Sequence, residues 1–135
     1  SQCMVSSIEA KNISSETWEV YTNNGREKTG LDVIDWAKKC ERHGAGEILL
    51  TSVDQEGTRK GFDIALIKAV SESVNIPVIA SGGMGTLEHA ISASIEGGAD
   101  AVAMADVLHY DRFKISDVRS AAVNARLNVR RYEVV

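Results

Sequence analysis

The chain has 135 residues, 44% hydrophobic but only 5% aromatic, with one proline and a net charge of −4. That length suits one domain around a single core, and the acidic balance argues against nucleic acid or an anionic membrane surface as a partner. No stretch reads as a transmembrane helix or signal peptide, and Cys3 and Cys40 show neither CxxC spacing nor a nearby histidine cluster. Reduced thiols, no bound metal, no cofactor and a cytoplasmic location are therefore expected.

The chain opens on Ser1, without Met, directly at a strand-like segment, as a piece of something longer would. Cys3–Glu9 reads as a strand that ends on a carboxylate. Asn12–Gly30 is polar but contains TWEVYT (Thr17–Thr22), then NNG, then REKT, which predicts a short hairpin. Leu31–His43 carries an apolar face at Leu31, Ile34, Trp36, Ala37 and Cys40 and stops at Gly44, which predicts a helix. Glu47–Thr51 reads as a buried strand. Asp63 can cap a helix over Ile64–Ser73. A strand over Pro77–Ala80, a helix over Thr86–Glu96 and a strand over Ala101–Met104 follow. A short helix at Asp106–His109 and a last one capped by Ser116 and running to Ala125 complete the order βαβαβαβα.

Two segments echo each other. GAGEILLTS (Gly44–Ser52) and GGADAVAMA (Gly97–Ala105) both place an acid, Glu47 or Asp100, before an apolar strand, at an offset of 53 residues. That is about two βα units at ~30 residues each or slightly less. Such repetition is what a barrel or a doubly wound sheet requires, and the echo does not choose between them. The strand Pro77–Ala80 runs into Ser81, Gly82 and Gly83 and then a helix. The strand Glu47–Thr51 runs into Asp54, Gly57 and Thr58. Glycines that let the backbone approach, next to the free N–H groups of a helix start, make a natural phosphate cradle. Tight strand-to-helix turns need the same glycines.

The combination EILLTSVDQEGTRKGFD (Glu47–Asp63) with IPVIASGGMGTLEHA (Ile76–Ala90) resembles the cyclase subunit of imidazole glycerol phosphate synthase, an enzyme of histidine biosynthesis. The likeness extends to IEAK (Ile8–Lys11), KTG (Lys28–Gly30) and ADAVAMADVLHY (Ala99–Tyr110), nearly the whole chain. It leaves the first half of that family's (βα)8 barrel without a counterpart. The resemblance thus implies an α/β fold, a single (βα)4 half-barrel domain over residues 1–135 equivalent to strands five to eight. A barrel of this kind takes about 250 residues and carries its chemistry on the loops after its strands.

The resemblance also implies a site. Glu9 stands where the family carries an Asp that works with a second Asp from the missing half; a surface acid near a strand end is the alternative. Gly57, Thr58, Gly82, Gly83 and the backbone at Ala105 and Asp106 match positions that hold one substrate phosphate. Thr51, Asp54 and Ser81 match pocket-lining positions. Asp106 departs from the family's usual Ser, and a carboxylate beside a dianion costs affinity unless it turns away. Glu47 matches an acid in a charged ring where ammonia arrives from a glutaminase subunit, a possible partner by family, although the basic residues of that ring belong to the missing half. His43 and His89 read as structural, and Trp18 and Tyr21 could close over a substrate or pack on the hairpin.

Three functions fit these residues. One is the cyclase reaction, which joins ammonia to a phosphoribulosyl-formimino ribotide. Another is a non-catalytic phosphate-binding half-barrel, and the third is a phosphosugar isomerase of the same superfamily. A four-stranded half-barrel would leave two edges and an apolar interior open, so a homodimer or higher even assembly is expected. For the isolated half, weak or absent turnover is expected.

Overall fold

The structure, a computed structural model, describes residues 4–104 and 115–125. Six strands form one sheet in the order β3-β2-β1-β4-β5-β6. They are β1 (Val5–Ser14), β2 (Thr17–Thr22), β3 (Glu27–Asp32), β4 (Glu47–Ser52), β5 (Val78–Ser81) and β6 (Ala101–Val102). The helices are α1 (Val33–Arg42), α2 (Ile64–Ser73), α3 (Leu87–Ile95) and α4 (Ile115–Asn124). The strands β1, β4, β5 and β6 run parallel. Successive ones are joined by segments that carry α1, α2 and α3, the arrangement that parallel strands require.

The alternation of side chains sorts the sheet into two faces. Ile8 and Ala10 of β1, Ile48 and Leu50 of β4, and Val78 and Ala80 of β5 are buried. They join Val33 and Ala37 of α1, Leu66, Ile67 and Val70 of α2, and Ala90 and Ala93 of α3 in one core. The opposite face is open. Ser7 and Ala101 are exposed there, and Glu9, Leu49, Thr51, Ile79 and Ser81 are half-buried.

Asp63 caps α2 as expected. Its Oδ1 accepts from the Leu66 N–H at 3.0 Å, while Oδ2 accepts from the buried Trp18 indole N–H at 2.9 Å. The same carboxylate therefore starts a helix and anchors β2, which explains why Trp18 packs into the core and does not hang over a site. Asp100, one acid of the internal echo, exchanges two hydrogen bonds with Val78. Its N–H donates to the Val78 carbonyl and its Oδ2 accepts from the Val78 N–H, both at 2.9 Å.

Three expectations need correction. The first strand does not end at Glu9. It continues to Ser14, because its second half pairs antiparallel with β2, from Glu9 opposite Tyr21 to Ser14 opposite Thr17. The hairpin is thus a two-stranded extension of the main sheet, since β2 pairs on its far side with β3. The expected strand Ala101–Met104 pairs only at Ala101 and Val102. The last helix begins at Ile115, so Ser116 lies inside it. The short helix expected at Asp106–His109 falls outside the described residues.

Candidate functional site

The parallel register sets the site. Glu9 of β1 stands opposite Thr51 of β4, and Thr51 stands opposite Ser81 of β5. The three therefore form one row across neighbouring strands, at the C-terminal end of the parallel ladder and on its open face. Together with Ser7, Asn24, Val53 and Glu56 they line a cavity of about 560 Å³. Its polar groups are two carboxylates, three hydroxyls and one carboxamide. That set can move protons and hold a polar ligand in place.

Glu56 and Asn24 were not evident from sequence. Glu56 lies in the turn after β4, and its carboxylate comes close to Gly82: a Cβ built there would be 3.0 Å from Glu56 Oε2. Asn24 reaches the cavity because the hairpin tip folds back. Asn23, Asn24 and Gly25 all have positive φ, at 54°, 58° and 78°. A Cβ on Gly25 would lie 2.8 Å from Val53 Cγ1, so the tip sits directly on the β4 loop. The Asn-Asn-Gly run was the available signal; consecutive left-handed residues favour this composition.

The remaining expected residues are placed otherwise. Asp54 points away from the row. Its Oδ2 accepts from the Asn12 N–H at 2.7 Å, and it lines a separate groove of about 620 Å³ with Asn12, Trp18 and Phe62. Thr58 is occupied by its own turn: both its N–H and its hydroxyl donate to the Gln55 carbonyl, at 3.0 and 2.9 Å. Gly82 and Gly83 are buried where the loops after β4 and β5 cross. A Cβ on Gly83 would overlap the Gly61 carbonyl oxygen, and the Gly61 N–H donates to the Gly83 carbonyl at 2.8 Å. Close approach of two protein backbones is thus one reason for these glycines. The amides of Gly57 and Gly83 nevertheless donate to no acceptor among the described residues. Gly57, at φ 76°, has open space around its α-carbon. Ala105 and Asp106 lie outside the described residues.

Among the described residues no group of three or more His, Cys, Asp or Glu side chains could hold a metal ion, and no helix is long and apolar enough to cross a membrane. An α/β chain with a parallel-dominated sheet and a polar row at its strand ends fits a fragment of a TIM-barrel enzyme. The family comparison agrees: residues 1–114 match the model described as histidine biosynthesis protein, and the chain belongs to that family.

Proposed function

We propose that this chain is the C-terminal half of an imidazole glycerol phosphate synthase cyclase, acting in the cytoplasm. In this reading ammonia, delivered by a glutaminase subunit, joins a phosphoribulosyl-formimino aminoimidazole carboxamide ribotide. The products are imidazole glycerol phosphate, the carboxamide ribotide and one water. The observation that carries the reading is the row Glu9–Thr51–Ser81, set across three adjacent strand ends in one cavity with Glu56.

Ring closure and elimination both need protons moved, and one carboxylate can serve as acid while its neighbour serves as base. Glu9 supplies the first group and Glu56 the second, with Thr51 and Ser81 hydroxyls orienting the substrate. The amides of Gly57 and Gly83, which donate to no acceptor among the described residues, take one phosphate.

Turnover with ammonia, expected to be weak in the isolated half, tests this reading. Glu9→Gln is expected to lower kcat by about 100-fold or more while leaving the melting temperature unchanged. Full turnover in Glu9→Gln removes that residue from the role. Inorganic phosphate well above its dissociation constant should raise the melting temperature, by about 2.7 kcal/mol of added stability at 100 times Kd. Gly57→Asp, at a position with open space around the added side chain, should erase that rise.

The open sheet face favours a second, compatible reading. Val5 is about half exposed, at 51%, and Leu49 and Ile79 are only partly covered. Residues Val5–Ile8 of β1 face no β2 partner. A second copy of the chain, docked about a two-fold axis, would cover that face and complete eight parallel strands. Light scattering should report a dimer or higher even assembly at micromolar concentration, and a compact monomer would count against it.

A further inference from the structure

We infer that Tyr21 is a further ligand-binding residue of this site, one whose hydroxyl meets a hydroxyl group of the substrate beside Glu9. Register places it there. Glu9 stands opposite Thr51 on one side and opposite Tyr21 on the other, so the row runs Ser81–Thr51–Glu9–Tyr21 across four adjacent strands. Directly opposed residues share a face of the sheet, with their Cβ atoms about 4.5–5.5 Å apart. Tyr21 therefore lies on the open face, with a cavity-lining carboxylate as its immediate neighbour.

The ring is far better covered than the rest of the row. Tyr21 is 7% exposed, whereas Glu9, Thr51 and Ser81 are half-buried. Lys11, two residues beyond Glu9 on β1 and hence on the same face, sets its Nζ 5.3 Å from the ring centroid. The ring is thus held in place, yet its hydroxyl bonds to nothing among the described residues. No fully enclosed side-chain oxygen or nitrogen there lacks a partner, so the small surface that Tyr21 keeps includes its hydroxyl. A buried tyrosine hydroxyl ordinarily finds a partner. One that is fixed, nearly enclosed and unbonded is open to a ligand.

The neighbours decide what kind of ligand. A carboxylate only accepts hydrogen bonds, while a phenol hydroxyl donates one and also accepts. A ligand hydroxyl set between them donates to Glu9 and accepts from Tyr21, satisfying both. An apolar group there satisfies neither, and a second carboxylate meets Glu9 with like charge. The pair therefore selects a hydroxylated carbon chain, a polyol or open-chain sugar. This inference rests on the proposed reading of the row as the substrate site, and it adds the residue that recognises the chain carrying the phosphate.

The test is calorimetric titration of the full chain and of Tyr21→Phe with three probes. They are sorbitol 6-phosphate, hexyl phosphate, which lacks the hydroxyls, and inorganic phosphate. Phenylalanine keeps the ring and its contact with Lys11, so the melting temperature should match that of the wild type. Sorbitol 6-phosphate should bind the wild type more tightly than hexyl phosphate does, and should lose about fivefold in Tyr21→Phe. The other two probes should bind both proteins alike. Equal affinity of sorbitol 6-phosphate for the two proteins, or no advantage over hexyl phosphate, would overturn the role of Tyr21 while leaving phosphate binding intact. A clearly lower melting temperature in Tyr21→Phe would overturn it too, because the hydroxyl would then have a partner within the fold. Failure of the wild type to bind any of the three would overturn the substrate-site reading, and this inference with it.

Discussion

Alanine at three glycines separates the forces that hold the two strand-end loops together. Gly83 has φ 110°, and an added methyl would overlap the Gly61 carbonyl oxygen and lie 2.8 Å from the Gly61 carbonyl carbon. Holding a non-glycine residue in that region costs about 1–3 kcal/mol. Relieving the overlap costs about 1–3 kcal/mol more. Losing the Gly61-to-Gly83 hydrogen bond adds about 0.5–1.5 kcal/mol. Together these reach roughly 3–7 kcal/mol, a large share of the ~5–15 kcal/mol that holds a typical domain folded. Gly57 isolates the backbone term: its φ is 76°, but nothing lies within 4 Å of the added methyl. About 1–2 kcal/mol is expected for Gly57→Ala. Gly85 isolates the contact, because its φ is not left-handed while a methyl would overlap the Arg59 carbonyl oxygen. About 1–3 kcal/mol is expected there. Urea unfolding followed by circular dichroism should rank Gly83→Ala well below both single-cause variants. A Gly83→Ala midpoint equal to that of Gly57→Ala would refute the claim that the loops are in backbone contact.

Other consequences follow from the core and the caps. Asp63→Ala removes the α2 cap and the acceptor of the buried Trp18 indole at once, and should cost about 2–4 kcal/mol in the same unfolding assay. Trp18→Phe keeps the cap and should cost less. Leu50, 1% exposed on the helix-covered face, should lose about 2–5 kcal/mol on truncation to Ala. Its neighbour Leu49 faces the open side, so Leu49→Ala should cost clearly less in dilute protein. If a second copy covers that face, the difference should narrow as concentration rises, which paired melts at low and high concentration will show.

Much of this architecture is local in origin. Apolar runs bounded by glycine placed β4, α2 and β5, and the carboxylate at Asp63 announced its cap, because periodicity and capping depend on residues three or four apart. The length of β1 could not be seen that way. Its extension to Ser14 exists only because β2 folds back beside it, and nothing in KNIS by itself calls for a strand. The site divides along the same line. Glu9, Thr51 and Ser81 stood out at the ends of apolar strands, but their alignment in one row is a matter of register between segments some 30 to 40 residues apart. Asp54 turned away because the Asn12 amide offered it a partner, and Glu56 turned in beside Gly82. Individual residues thus declared their chemistry in the sequence. Which of them meet was decided by the tertiary structure, since strand pairing and loop crossing join groups that the chain itself keeps far apart.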